Sequence, residues 1–225
     1  MQRFWHGGKL VMIDQLIRPH LQTDSRLLEI GCGAGNLLLQ AAVRGSYPVA
    51  LDLAMQALTF VRSRLREAQS GSEAPHDFMC LQSVGELLPL ADRSFECILL
   101  SEVIEHLEAP QVSIKEAARV LRPGGRLLVT TPNYRSLWPL MERVVDLLNI
   151  APKMAGEQHI SRFHPASLKR LLIEAGLRIE YFGTIYNLSP FLSLFSPKWA
   201  NSQLERELEG RSSLGMILVA VAVKL

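Results

Sequence analysis

The sequence predicts an α/β fold wound on both sides of a mostly parallel sheet, and three observations carry that reading. Leu27-Leu28-Glu29-Ile30 runs into Gly31-Cys32-Gly33-Ala34-Gly35, and an apolar helical stretch from Leu37 to Val43 follows at once. Strand, tight turn and helix in that order form the first half of a nucleotide-binding βαβ unit. Phe95–Leu100 is nearly all apolar, as a central strand buried on both faces must be. Finally, strand-like and helix-like segments alternate along the chain, which favours parallel strands joined by right-handed crossovers.

The elements follow in order. Leu10, Ile13, Leu16 and Ile17 have helical spacing in a segment closed by Pro19, giving a helix over residues 1–20. Phe4 and Trp5 at its start are expected to pack on the core; a cover for the ligand cleft is the other option. Pro48–Leu53 is the second strand and Ala54–Glu67 a helix, with Ala57, Leu58, Val61 and Leu65 inward and Arg62, Arg64 and Arg66 solvated. Gln69–Pro75 reads as a loop and Phe78–Leu81 as a short third strand. Pro110–Val120 is a helix and Arg126–Thr131 the fifth strand. A further amphipathic helix spans Leu137–Leu148, followed by a linker from Ala151 to Phe163. Ser167–Ala175 is a helix ended by Gly176, and Leu177–Tyr186 the sixth strand. Asn187–Trp199 looks too irregular for any element, and Met216–Val223 is the last strand. With no internal repeat, residues 1–225 read as one domain.

Composition narrows the function classes. A chain of 225 residues with 48% hydrophobic and 20% charged content is expected to be globular. A net charge of +2 without a long basic run gives no electrostatic case for nucleic acid. Cys32, Cys80 and Cys97 fit neither a disulfide framework nor a metal pattern. No signal pattern or transmembrane-length apolar run appears, so the expected location is the cytoplasm.

The glycine turn says more about the ligand. Glycines at 31 and 33 let a ligand approach the main chain closely. The dinucleotide fingerprint needs a third glycine where Asn36 stands. Glu29, two residues before Gly31, would repel a pyrophosphate and suit an ammonium group. S-adenosylmethionine carries such a group and no phosphate. Asp52 ends the second strand about 20 residues beyond Gly31, where a carboxylate grips ribose hydroxyls.

Further motifs follow in order: Glu86-Leu87-Leu88-Pro89-Leu90, then Ser94-Phe95-Glu96, then Ser101-Glu102-Val103-Ile104-Glu105-His106, then Leu121-Arg122-Pro123-Gly124-Gly125-Arg126. From about Leu27 to Pro132 the chain resembles class I S-adenosylmethionine-dependent methyltransferases, in particular the small-molecule, ubiquinone-biosynthesis-like group. The resemblance implies a Rossmann-like seven-stranded sheet with a last antiparallel strand. It implies methyl transfer by direct displacement to oxygen or carbon of a small acceptor, leaving S-adenosylhomocysteine. Glu29, Gly31, Cys32, Gly33 and Gly35 would hold the methionine end, Asp52 the ribose and Leu53 the adenine face. Gly85 and Glu86 stand where the family contacts the adenine edge, and Ser101 and Glu102 face the reactive end. The family's usual acid aligns with Val84, which cannot accept the adenine amino hydrogen bond.

Catalytic candidates are His106, as a general base or a packed loop histidine, and His159, in a segment with Arg162 and Phe163. His164 closes that segment. Cys32 between its glycines reads as packing and not as a nucleophile. Glu102, Glu105 and His106 have Glu-x-x-Glu-His spacing, but no second histidine follows at helical spacing, so no metal is expected. Residues 133–164 and 187–212 occupy the places where this fold builds its acceptor lid. Their apolar faces predict a greasy or aromatic acceptor, or contact with a membrane surface or a second copy of the chain. The rival readings are a catalytically silent cofactor-binding partner or sensor and, against Glu29 and Asn36, a nicotinamide-dependent oxidoreductase.

Overall fold

Apolar side chains that alternate across every central strand can be buried only if helices cover both sides of the sheet. The computed structural model describes residues 2–42, 46–69, 77–147, 159–192, 196–209 and 214–225. Its elements are α1 (Gln2–Ile17), β1 (Arg26–Ile30), α2 (Asn36–Ala42), β2 (Tyr47–Asp52), α3 (Met55–Gln69), β3 (Met79–Gln82), β4 (Phe95–Ser101) and α4 (Pro110–Val120). These are followed by β5 (Leu121–Pro132), α5 (Trp138–Leu147), α6 (Pro165–Glu174), β6 (Leu177–Ile185), α7 (Ser189–Leu192), α8 (Pro197–Glu209) and β7 (Ile217–Lys224). Single 3-10 turns lie at Arg18–His20 and Ile104–His106.

The strands stand in the order β3-β2-β1-β4-β5-β7-β6. The pairs from β3 through β5 are parallel, and β7 is antiparallel to β5 and β6. The expected seven-stranded, doubly wound sheet is therefore present. Its strand order reverses at β1 and β4, so the ligand crevice belongs beyond their carboxyl ends. Leu27, Ala50, Cys97, Leu99 and Leu128 share one core with Ile13, Leu38, Leu58 and Val61 from α1, α2 and α3. Leu28, Val49, Ile98, Leu100 and Leu127 share the other with Ile114 and Ala117 of α4 and Leu168 and Leu172 of α6.

Several expected elements differ in detail. β5 starts at Leu121, not Arg126: Phe95 pairs with Leu121 and Cys97 with Arg126, and the register shift accommodates Gly124 at φ +76°. α6 begins at Pro165 because His164 caps it; Nδ1 accepts from the Ser167 N–H at 3.3 Å, and the Ser167 hydroxyl accepts from the His164 N–H at 2.9 Å. That gives His164 a structural task. Gly176 ends the helix with φ +79°, as its position predicts.

The expectation that Asn187–Trp199 forms no element is corrected by α7 and α8. Pro190 and Pro197 obscured the helices in the sequence, but both prolines sit in a first turn, where no N–H is needed. The buried Glu207 carboxylate accepts from the N–H groups of Asn187, Leu188 and Ser189 at 2.9–3.0 Å and from the Ser189 hydroxyl at 2.8 Å. One acid at the end of α8 thus ties down the start of α7. Leu204 of α8 lies against Gly8 of α1, where a Cβ would come within 2.3 Å of it. This part of the second insertion packs as core.

Other expectations lie outside the described residues: the side chains of Phe4, Trp5, Met141, Val144 and Val145, the residues Val43, Leu148 and Phe195, residues 70–75 of the expected loop and residues 151–158 of the expected linker.

Replacing Glu207 strands four donors. Glu207→Ala is expected to cost about 3 kcal/mol in urea unfolding, with part recovered in Glu207→Gln. A loss under about 0.5 kcal/mol, the size of an ordinary surface change, would sink this account of α7 and α8.

Candidate active site

The glycine turn is built from β2. Both the Gly31 and Cys32 N–H groups donate to the Leu51 carbonyl, at 2.8 and 3.1 Å, and the Gly33 N–H donates to Asp52 Oδ2 at 2.9 Å. Asp52 Oδ1 accepts from the Ala54 N–H at 2.9 Å. Gly31, at φ +68°, has no room for a Cβ, which would sit 2.5 Å from Val103. Gly33, at φ +48°, has open space there. Arg64 of α3, expected to be merely solvated, donates to the Ala34 carbonyl and to Asn36 Oδ1 at 2.8 Å. Asn36, where a third glycine would otherwise stand, is one end of this strut.

Glu29 is 5% exposed, and its Oε2 has no hydrogen-bond partner. Burial pushes its carboxyl up to about 8, against a smaller opposing effect of the hydrogen bond from the Leu38 N–H and of Lys9 on α1. Cys32 is buried in the core, and burial pushes its thiol well above the usual range. All three cysteines are free.

In front of the turn opens a cleft of about 630 Å³. Its walls include Gly31, Asp52, Leu53, Gly85, Glu86 and Glu102, together with Val84, His106 and Ile160. The structure thus brings seven of the predicted site residues into one space. Glu29, Cys32, Gly33, Gly35, Ser101 and His159 are not part of its lining. Leu53 is 67% exposed and Val84 40%, so both offer apolar surface to the cleft.

At the end of β4 the chain turns sharply, with Glu102 at φ +57°, a strained position for a side-chain-bearing residue. The Glu102 N–H donates to the Thr130 carbonyl at 3.0 Å, and its Oε1 accepts from the Thr130 hydroxyl at 2.7 Å. Ser101 Oγ shares that hydroxyl at 3.1 Å. Ser101 therefore supports Glu102 from behind. The following 3-10 turn carries Glu105, 1% exposed, whose Oε2 accepts from the Thr131 hydroxyl at 2.9 Å. Burial first, and then the Glu102 charge, hold its carboxyl well above the usual range.

The segment after the linker docks on this turn. The Ser161 N–H donates to the Glu105 carbonyl at 2.9 Å, and the Ser161 hydroxyl to that of Leu107 at 2.9 Å. This brings the His159 ring to 5.1 Å from that of His106, centroid to centroid. His159 Nδ1 lies 2.8 Å from Glu142 Oε1 and 3.0 Å from the Tyr134 hydroxyl, which itself donates to Glu142 at 2.9 Å. Sequence reading missed Tyr134 and Glu142. The available signal was an acid, Glu142, among apolar residues in the first half of α5; it is 5% exposed.

A family model described as a methyltransferase domain matches residues 4–181. The chain belongs to that family. It is 31% identical over 182 residues to the ubiquinone biosynthesis O-methyltransferase of Xylella fastidiosa (strain 9a5c), covering 80% of this chain and 71% of that one. The namesake enzyme of Xanthomonas euvesicatoria is 34% identical over 160 residues, 69% of this chain and 64% of that one. An S-adenosylmethionine-dependent methyltransferase of Methanosarcina mazei shares the fold at 20% identity and a TM-score of 0.65, over 93% of this chain and 97% of that one. The [4+2]-cyclase SpnF shares it as well, at 19% identity and 0.63, over 94% and 79%. The protein is an S-adenosylmethionine-dependent methyltransferase with a Rossmann-like sheet, which removes the nicotinamide reading. No described helix is long and apolar enough to cross a membrane.

The buried carboxyl of Glu29 sets a pH signature for the ligand-free methyltransferase. A group that titrates near 8 when folded and near 4.5 when unfolded binds a proton only in the native state between those values. Stability is then fully present below about 4.5 and falls as pH rises through the window, by at most about 1.4 kcal/mol per pH unit. The difference in unfolding free energy between wild type and Glu29→Gln, measured at pH 5.5 and 7.5, should move in favour of the variant at the higher pH. A difference independent of pH would show that Glu29 is already ionised in the free protein.

Proposed function

We propose that this methyltransferase moves the methyl group of S-adenosylmethionine onto a hydroxyl oxygen of a small, partly apolar acceptor. One observation carries the reading: Asp52, Leu53, Glu102, His106 and Ile160 line one and the same cleft, so a donor held on Asp52 and Leu53 shares that space with an acceptor beside His106. The oxygen target is supported by relatives named as O-methyltransferases.

The residues fit the cofactor. The orphan Glu29 oxygen calls for a donor, and the cofactor's ammonium group supplies one. Asp52 can hold the ribose hydroxyls while it keeps the turn closed. Leu53 and Val84 can sandwich the adenine, with Glu86 taking the amino contact that valine cannot make. When bound, the cofactor supplies an activated methyl on sulfur, which leaves as a thioether when the acceptor oxygen takes the methyl. The protein's share is then positioning plus removal of the hydroxyl proton. His106 at the acceptor end lies where that proton is lost. The described parts of residues 133–164 and 187–212 would cover the acceptor side of one domain, with α8 the inner, packed part.

Val84 favours one rival: a protein that binds the cofactor and methylates nothing. Incubation with S-adenosylmethionine and a panel of hydroxylated aromatic, lipid and sugar acceptors, read by mass spectrometry, separates them. O-methylated product supports the proposal; cofactor binding with no product from any acceptor supports the silent binder.

Two binding experiments test the site itself. Binding an ammonium favours the ionised form of Glu29, so S-adenosylhomocysteine affinity should rise from pH 6 to 8, by at most about tenfold per unit, and level off above. Calorimetry that finds no such rise would remove Glu29 from the ammonium site. Asp52→Ala should weaken S-adenosylhomocysteine by about tenfold or more with the fold intact, since a ribose contact and the Gly33 tether go together. Unchanged affinity would take Asp52 out of the site.

A further inference from the structure

The cleft wall at residues 84–86 lies beyond the end of β3, outside the sheet. It belongs to a short turn, closed by the Leu87 N–H donating to the Val84 carbonyl at 3.2 Å and by the Ser83 hydroxyl donating to the Leu87 carbonyl at 2.7 Å. From there a segment without helix or strand runs to the start of β4. α4 grips that segment from outside. Glu116 Oε2 accepts from the Leu88 N–H at 3.0 Å. Arg119 donates to the carbonyls of Leu88 and Leu90 at 3.0 and 2.9 Å and to Asp92 at 2.6 Å. The two side chains are locked to each other, Nε to Oε1 at 2.7 Å and Nη2 to Oε2 at 2.8 Å. We propose that Glu116 and Arg119 are positioning residues for the cofactor: they fix the wall at 84–86 so that it reads the amino edge of adenine. The proposal rests on the adenine placement given above and deepens it.

Adenine presents an amino donor beside a ring-nitrogen acceptor, and this edge must be met by groups held in matching places. Val84 has no acceptor to offer, the Ser83 hydroxyl is committed to Leu87, and the Gln82 amide donates to the Leu53 carbonyl at 3.0 Å. What lines the cleft there is the main chain of residues 84–86 and the Glu86 carboxylate. Main-chain groups cannot swing to follow a ligand, so their placement is decided by whatever holds the segment. One such hold lies two residues beyond Glu86, where Leu88 gives its N–H to Glu116 and its carbonyl to Arg119. Gly85 shows how closely the wall is seated on the same helix: a Cβ there would lie 2.9 Å from the buried Ser113 Oγ of α4. Ser113, Glu116 and Arg119 follow at three-residue steps along α4 and all meet this segment. The hydrogen bond from Arg119 holds the Glu116 carboxyl below the usual carboxylate range, so the pair is ionised at neutral pH. The planar fork of arginine is what lets one side chain bond a carboxylate and two carbonyls at once.

A purely structural role for the pair has different consequences. If the clamp only closed the connection between β3 and β4, its loss would lower stability and loosen every cofactor analogue alike. If it sets the adenine wall, its loss removes the hydrogen bonds to the adenine edge and spares the ribose and methionine contacts, which come from Asp52 and the turn after β1.

The test compares S-adenosylhomocysteine with S-inosylhomocysteine, whose ring carries a carbonyl in place of the amino group, by calorimetry on the full-length protein. Wild type should prefer the adenosyl ligand by about tenfold or more, the worth of one or two hydrogen bonds. Glu116→Ala and Arg119→Lys should each cut that preference to under about threefold, with the adenosyl affinity falling and the inosyl affinity unchanged. Glu116→Gln keeps an acceptor for the Leu88 N–H and should recover part of the preference. Cooperative urea unfolding checks that each variant is folded, and Arg119→Lys, which keeps the charge, carries the test if Glu116→Ala is not. A wild-type preference retained in the folded variants, even with both ligands weakened together, overturns the positioning role and leaves the adenine placement standing. A wild type that binds the two ligands equally overturns the adenine placement and this inference with it.

Discussion

The structure depends on how the end of β2 holds the glycine turn that leaves β1. Two adjacent N–H groups, Gly31 and Cys32, share the Leu51 carbonyl, and Asp52 accepts from Gly33 with one oxygen and Ala54 with the other. A turn with positive φ at Gly31, Gly33 and Gly35 has no ladder of its own. Its shape is imposed by the neighbouring strand and by Arg64 reaching across from α3. With that turn fixed, α2 starts where it must, and the cleft gains one wall.

The opposite wall is made by a strained turn. Glu102 adopts a left-handed conformation because Thr130 of β5 takes both its N–H and its carboxylate, through the main-chain carbonyl and the hydroxyl. The 3-10 turn that follows buries Glu105 under Thr131 and sends His106 into the cleft. The segment at 159–161 then closes on this turn through main-chain contacts. Left-handed backbone thus follows both switch-point strands, where a ligand would sit, unstrained at the glycines after β1 and strained at Glu102 after β4. The sheet supplies the stability that tolerates it, with two buried layers meeting at strands such as β1 and β4.

Much of the strand framework was readable because its signals are local. Leu27–Ile30, Phe95–Leu100 and Met216–Val223 carry their burial in their own composition, and Gly176 marks a helix end by its own φ. Of the cleft residues on the turns, Gly31 and Asp52 were visible from the glycine turn and the end of the second strand, whereas Gly85, Glu86 and Glu102 were placed only through the family resemblance. α7 and α8 were hidden because prolines stand in their first turns, and the Glu207 contact that ties α8 to the start of α7 leaves no local pattern. Arg64 was misjudged for the same kind of reason: whether an arginine on a helix is solvated or tethered depends on what lies across from it.

The sequence by itself determined the alternation of strands and helices, the glycine turn and the acid two residues before it. Each of these follows from periodicity or backbone sterics acting over short stretches. Only the tertiary structure decided that His159 meets His106 and Glu105, that Glu142 and Tyr134 stand behind it, and that Glu29 is buried with one oxygen unpartnered. These are contacts between segments far apart in the chain. They exist because the crossovers carry α5 and the segment after it back to the carboxyl end of β4, and no local pattern of residues records where a crossover will land.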